Sequence, residues 1–222
     1  MYACVMSEVV RVGSIFDHTR FHDVEGVRSS SRNVAQIEKD LWKVDFNFSF
    51  SSYLRELALE FGDKPIKIFD SGCGYGNAAG DFKKILETEG VEVVTAGITM
   101  SPFHIYRATR ENRIDKLFVG SVEKFAQQAP QEEFHFILDF HGPTRYCVGT
   151  NVLQEGAVTF PLYSSMLKKG GSALIVCPNV RELDEPIDYL SKGIAQNTLR
   201  LLDKSGFDMI RRAKDIALVV KR

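Results

Sequence analysis

The residues best suited to chemistry in this sequence form a glycine-rich turn directly after an apolar run. Its members are Asp70, Gly72, Cys73, Gly74 and Gly76. Glycines let a backbone approach a nucleotide closely, and the N–H groups at the start of a following helix can face its phosphate or sugar. The pattern predicts nucleotide-type binding. The alternative is a tight turn that only permits a helix to pack on a sheet.

A second polar group follows the apolar run Phe134 to Phe140 and contains Asp139, His141 and Tyr146. Ligands of open α/β sheets lie beyond the carboxyl ends of the strands, so these residues should edge a reaction site. The ordinary pKa of histidine is near neutrality, and we expect His141 to act as a base or to orient an acceptor. Tyr146 would recognise a substrate ring. The alternatives are a strand-end histidine bound to backbone, a buried aspartate satisfied by loop N–H groups, and a surface tyrosine.

The elements that position these residues alternate between short apolar runs and helical patterns, as in a parallel sheet with crossover helices. Seven strands are predicted, over residues 65–70, 91–98, 116–119, 134–140, 172–177, 207–211 and 216–221. Helices are predicted over residues 51–61, 77–89, 101–112, 152–169 and 186–204. Gly170 and Gly171 should stop the fourth helix, for which a break near Pro161 is an alternative.

From about residue 50 to the C-terminus, the chain resembles the class I S-adenosylmethionine-dependent methyltransferases. Their first motif is an acidic residue followed by G-x-G-x-G, which Asp70, Gly72, Gly74 and Gly76 match. The resemblance implies a Rossmann-like α/β fold with a mostly parallel seven-stranded sheet, helices on both faces and a C-terminal antiparallel strand pair. It also implies S-adenosylmethionine as the cofactor. The G-x-G-x-x-G spacing of dinucleotide dehydrogenases is absent.

The resemblance also assigns the rest of the cofactor site. Thr99 stands where the family has an acid that binds the ribose hydroxyls, and Ser121 stands where it has an acid that contacts the adenine amino group. Met100 and Val122 would sandwich the adenine, and Asp139 would contact the methionyl amino group or the acceptor. Losing a carboxylate that accepts two hydroxyl bonds weakens binding by about tenfold to several hundredfold, unless a neighbour compensates.

These residues predict methyl transfer to a small-molecule acceptor, with His141, Asp139 and Tyr146 at the acceptor. Such a reaction depends mainly on holding the acceptor aligned with the methyl group. The missing acids leave two alternatives open. One is a catalytically silent binding or scaffold protein with this fold, and the other is an enzyme that uses a modified sulfonium.

Composition narrows the class of protein and its partners. The 28 basic and 29 acidic residues give a net charge of −1, so nothing global favours nucleic acid or an anionic membrane. No apolar run is long enough to cross a bilayer, and no secretion signal is recognisable. The four cysteines form no C-x-x-C pair, which favours a reducing, cytoplasmic setting. The sequence does not indicate an oligomeric state.

The chain divides in sequence into an N-terminal arm, residues 1–49, and a methyltransferase-like domain, residues 50–222. Residues 13–33 have weak periodicity and predict either a lid over a site or a loosely held terminus. Within them, Asp17, His18, His22 and Asp23 could bind a divalent metal if the segment were helical. Nothing else indicates a helix there, and we predict no metal site.

Overall fold

The computed structural model describes residues 8–12, 49–62, 65–99, 104–110, 113–139, 152–176, 198–213 and 216–222. The chain separates into two compact units, residues 1–125 and residues 126–222. All seven predicted strands are present in the described residues, together with one more near the N-terminus. The predicted α/β class with a mostly parallel sheet and a C-terminal antiparallel pair is confirmed.

Unit 1 contains four parallel strands, in the spatial order β1-β4-β3-β2. They are β1 (Glu8–Val12), β2 (Ile66–Asp70), β3 (Val93–Thr99) and β4 (Lys116–Gly120). The strand β1 was not predicted from the sequence, and it lies within the arm and pairs with β4 in register from Glu8 opposite Lys116. Strands β2 to β4 are mostly apolar and mostly buried, as parallel strands covered on both faces are.

The described residues up to residue 126 include four helices: α1 (Phe50–Phe61), α2 (Asn77–Thr88), α3 (Ile105–Arg110) and α4 (Val122–Ala126). The start of α1 is capped by the Ser49 side chain, which accepts a hydrogen bond from the Ser52 N–H at 3.2 Å. Its end is set by Gly62 in the left-handed conformation. The predicted bounds of α1 and α2 are confirmed to within one residue at each end. The prediction of α3 is confirmed for the part of it that the structure describes.

Unit 2 contains the strand order β5-β6-β8-β7. Its strands are β5 (Phe134–Asp139), β6 (Leu167–Val176), β7 (Phe207–Ala213) and β8 (Ile216–Lys221). The last strand β8 is antiparallel to both neighbours and lies between β6 and β7. The predicted C-terminal pair with an inserted final strand is thus confirmed. The helices described in this unit are α5 (Val152–Met166) and α6, which is helical over residues 198–204 within the part of the chain that the structure describes.

One prediction about α5 and one alternative to it are wrong. The helix continues through Pro161, so the break does not occur there. The helix ends at Met166 and β6 begins at Leu167, so Gly170 and Gly171 lie inside the strand rather than at the helix end. The pairing of β5 with β6 shifts register at this point, because Phe134 pairs with Leu167 but Phe136 pairs with Ser172. Strand β6 therefore has extra residues here, and one of them, Gly170, has a left-handed conformation.

None of the helices in the described part of the chain is long and apolar enough to cross a bilayer. The residues 13–33 that suggested a lid lie outside the described residues, and so does the histidine and aspartate group between Asp17 and Asp23. The division into an arm and one methyltransferase-like domain stays a prediction.

Candidate functional site

The glycine turn begins at the carboxyl end of β2. Asp70 is buried, and its carboxylate Oδ1 accepts a hydrogen bond from the N–H of Gly72 at 3.3 Å. The Cys73 N–H donates to the Ile98 carbonyl of β3 at 3.1 Å, which holds the turn against the neighbouring strand. The N–H of Gly76 then donates to the Cys73 carbonyl at 2.6 Å and closes the turn. The loop is therefore bound by hydrogen bonds to the ends of two adjacent strands.

Glycine is required at the end of this turn for two reasons. Gly74 and Gly76 have φ angles of 50° and 73°, in the left-handed region where a side chain costs energy. A Cβ atom at Gly76 would also lie 2.8 Å from the Ile114 side chain. Gly76 is the N-cap residue of α2 and, as a glycine, provides no side-chain cap for that helix end. The turn therefore presents backbone where the helix begins, as the sequence pattern indicated.

Gly97 of β3 is part of the same packing arrangement. A Cβ atom there would lie 2.8 Å from the Cβ and 3.0 Å from the sulfur of Cys73. The turn thus rests directly on the backbone of β3. Cys73 was predicted as a cofactor-binding residue, and the structure shows its side chain buried against this strand.

The Cys73 thiol lacks the lowered pKa that activates a nucleophilic cysteine. Burial raises its pKa well above the usual value, and the negative charge of Asp70 raises it further. The thiol therefore stays protonated at neutral pH, and it donates a weak hydrogen bond to the Gly74 carbonyl of the turn at 3.9 Å.

At the carboxyl end of β3, Thr99 is hydrogen-bonded to a residue that the sequence did not single out. Its Oγ1 lies 3.0 Å from Nδ1 of His104, which begins the α3 segment. The His104 ring contacts the Tyr75 ring edge to face, with centroids 5.0 Å apart and planes at 78°. Thr99 is 6% exposed, so a buried hydroxyl with an imidazole partner occupies the position at which the resembling family has an acid.

At the carboxyl end of β4, Ser121 starts the short helix α4. Its Oγ accepts a hydrogen bond from the Lys124 N–H at 3.4 Å, and its carbonyl accepts one from the Phe125 N–H at 3.1 Å. A hydroxyl oxygen has two lone pairs, so this cap leaves one for another donor. Val122 is buried, and the Phe125 ring beside it stacks on Phe69 of β2 at 4.7 Å.

These positions share one edge of unit 1. Asp70 pairs with Gly97, and Thr99 pairs with Val119, so the carboxyl ends of β2, β3 and β4 are adjacent. The structure brings together six of the predicted cofactor residues in this way, namely Asp70, Gly72, Cys73, Gly74, Gly76 and Thr99. Ser121 and Val122 directly follow β4 at the same edge.

The polar group after β5 is described only in part. Asp139 ends β5 and is fully buried, and its Oδ2 accepts a hydrogen bond from the hydroxyl of Tyr163 on α5 at 2.8 Å. Tyr163 is itself fully buried, and no motif in the sequence marked it. Met100, His141 and Tyr146 lie outside the described residues, so their assignments stay predictions. Within the described residues, no group of three or more His, Cys, Asp or Glu side chains could hold a metal ion.

No protein-family model and no curated protein matches the sequence. Among solved structures, DesVI of Streptomyces venezuelae is similar at a TM-score of 0.57 and 12% identity, over 93% of this chain and 99% of that one. The DszA carbon methyltransferase is similar at 0.54 and 14% identity, over 90% of this chain and 59% of that one. The Methanococcus jannaschii fibrillarin pre-rRNA processing protein is similar at 0.50 and 18% identity, over 72% of this chain and 67% of that one.

The similarity to the carbon methyltransferase and the strand pairing show the fold. It is the Rossmann-like fold of class I methyltransferases, with parallel strands and a C-terminal antiparallel pair. This confirms the fold that the resemblance implied. Because one fold carries many activities, the function has to be argued from the site.

Proposed function

We propose that the protein binds S-adenosylmethionine at the carboxyl ends of β2, β3 and β4 and transfers its methyl group to a small-molecule acceptor. The observation that carries the proposal is the turn from Asp70 to Gly76, which is hydrogen-bonded to β3 through Cys73 and Ile98. Its left-handed glycines and its helix start without a side-chain cap are the features that let backbone lie against a nucleoside.

The side chains of this edge suit a nucleoside. The hydroxyls of Thr99 and Ser121 can bond to ribose and to the adenine amino group, and Val122 is apolar as adenine packing requires. Neither hydroxyl carries a charge, so each contributes less than a carboxylate would. These residues fit the cofactor in kind, and they support binding that is weaker than with two acids.

S-adenosylmethionine, when bound, supplies an electrophilic methyl group on a sulfonium. The protein has to hold the nucleoside, keep the reacting end dry and align an acceptor. In unit 1, the Asp70–Gly76 turn and Thr99 would hold the nucleoside. Asp139 in unit 2 is a buried carboxylate fixed by Tyr163, and its contact with the methionyl amino group or the acceptor stays a prediction, as do the roles of His141 and Tyr146.

Binding can be tested by isothermal calorimetry with S-adenosylmethionine and S-adenosylhomocysteine. Asp70→Asn and Gly74→Val alter the turn, and Glu60→Gln changes an exposed carboxylate of α1 as a matched control. We expect micromolar binding in the wild type and the control, and at least tenfold weaker binding in both turn variants. Circular dichroism has to show that each variant is folded. No binding by folded wild-type protein at millimolar ligand would overturn the proposal.

The acceptor class needs a separate screen. Formation of S-adenosylhomocysteine would be followed with small carboxylates and phenols, and with RNA as a counter-test because a fibrillarin is among the similar structures. The near-neutral net charge favours a small molecule over nucleic acid. Turnover with RNA and with no small molecule would show that the acceptor assignment is wrong while the cofactor assignment stands.

The neutral residues Thr99 and Ser121 also favour a second candidate, a binding or scaffold protein that keeps the fold without transfer. Folded protein that binds neither ligand supports this candidate. Tighter binding of a modified sulfonium than of S-adenosylmethionine would instead indicate a different cofactor.

A further inference from the structure

The buried hydroxyl at the end of β3 is fixed from two directions. Thr99 directly follows Ile98, whose carbonyl accepts the hydrogen bond from Cys73 of the glycine turn. Its own Oγ1 is 3.0 Å from Nδ1 of His104. The backbone on one side and the imidazole on the other therefore limit the directions in which the hydroxyl can point.

His104 is in turn held by the glycine turn. The Tyr75 ring lies between Gly74 and Gly76 in sequence and contacts the imidazole edge to face at 5.0 Å. Aromatic pairs in this arrangement are attractive and restrict the rotation of both rings. The turn is thus connected to the end of β3 at two places. One is the Ile98–Cys73 hydrogen bond, and the other is the chain of contacts from Tyr75 through His104 to Thr99.

We propose that His104 donates its Nδ1–H to the Thr99 oxygen and so acts as a positioning residue for the nucleoside ribose, and that Tyr75 holds it in place. The inference rests on the proposed function. A carboxylate can accept hydrogen bonds from both ribose hydroxyls, whereas a threonine oxygen that accepts a hydrogen bond from the Nδ1–H of His104 keeps one lone pair with which to accept another. The Thr99–His104 pair therefore binds one ribose hydroxyl and leaves the other without a partner from this residue.

The prediction is measurable with S-adenosylhomocysteine and its 2′-deoxy and 3′-deoxy analogues. For the wild type, we expect one analogue to bind about three- to tenfold more weakly than S-adenosylhomocysteine and the other to bind nearly equally, as for one neutral hydrogen bond. Thr99→Val and His104→Phe should each weaken the binding of S-adenosylhomocysteine by a similar factor. Each variant should also remove the difference in affinity between S-adenosylhomocysteine and the sensitive analogue. The double variant should bind no more weakly than Thr99→Val alone.

The variants separate positioning from simple packing. His104→Phe keeps an aromatic ring against Tyr75 but removes Nδ1, whereas the amide N–H of His104→Asn supplies a donor again and should restore the difference between ligands. Thr109→Val is the matched control, because Thr109 lies in α3 and its hydroxyl donates to the carbonyl of Ile105 in the same helix at 2.8 Å. It should bind all three ligands as the wild type does.

The outcomes are distinct. If His104→Phe weakens the binding of all three ligands by the same factor, the positioning role is overturned and the proposed function stays intact. No binding of any ligand to folded wild-type protein would overturn both, and the histidine ring ¹⁵N spectrum would then show separately whether the hydrogen bond exists. We expect the Nδ1 resonance of His104 to differ between the wild type and Thr99→Val. An unchanged resonance would show that Thr99 and His104 are not hydrogen-bonded.

Discussion

The hydroxyl of Tyr163 donates a hydrogen bond to Oδ2 of Asp139 at 2.8 Å, and both side chains are fully buried. The two residues lie on different elements of unit 2, the end of strand β5 and helix α5. A buried carboxylate is costly unless donors surround it, so the tyrosine helps to keep this aspartate in its position.

Tyr163→Phe is expected to lower the free energy of unfolding by about 1–3 kcal/mol, because it withdraws a donor from a buried acceptor. Urea denaturation measures the change. Asp139→Asn alone and in combination with Tyr163→Phe completes a double-mutant cycle, and the two effects should not add. A phenylalanine variant as stable as the wild type would show that the hydrogen bond contributes nothing.

Asp115 should matter for stability more than its partial exposure suggests. Its Oδ2 accepts from the Thr95 N–H at 2.8 Å and from the Thr95 hydroxyl at 2.9 Å, and Oδ1 pairs with Lys83. Asp115→Asn should therefore cost about 1.5–3 kcal/mol in urea unfolding. The matched control is Asp203→Asn, since Asp203 is 70% exposed and pairs with Arg222; it should cost less than about 1 kcal/mol. Equal costs would contradict the argument.

Gly97→Ala is expected to disturb the glycine turn, because the added methyl group would press on Cys73. The added Cβ would lie 2.8 Å from the Cβ of Cys73, and overpacking of this kind costs about 1–3 kcal/mol. Gly62→Ala provides the comparison, because Gly62 has a positive φ but open space around it. Both variants should lose stability, yet only Gly97→Ala should also weaken binding of S-adenosylhomocysteine in calorimetry. Unchanged binding would separate the turn from the ligand site.

Cys73 makes stability depend on pH in the alkaline range. Burial, and next the charge of Asp70, raise the pKa of its thiol in the folded protein, so the unfolded chain loses the proton first. The resulting stability is complete below the ordinary thiol pKa of about 8.5 and is lost as the pH rises above it. Wild-type protein should therefore lose more unfolding free energy between pH 7 and pH 10 than Cys73→Ala does. Parallel pH dependence in the two proteins would rule this out.

Several features were predictable because they depend on neighbours in sequence. The apolar runs that became β2 to β5 are buried over consecutive residues, which requires long apolar stretches in the sequence itself. The turn at Gly74 and Gly76 is equally local, because left-handed backbone conformations select glycine at those positions. The inserted final strand followed from the resemblance to a known fold.

The sequence by itself thus determined the α/β class, the order of strands β2 to β8 along the chain and the position of the glycine turn. Only the tertiary structure decided that His104 meets Thr99 and Tyr75, that Tyr163 meets Asp139 from 24 residues away, and that Glu8–Val12 pairs with β4. The physical reason is that burial and turn conformations are recorded in local residue patterns. Contacts between separate elements depend instead on how packed side chains meet, and hydrogen-bond partners can be identified only once that packing is known.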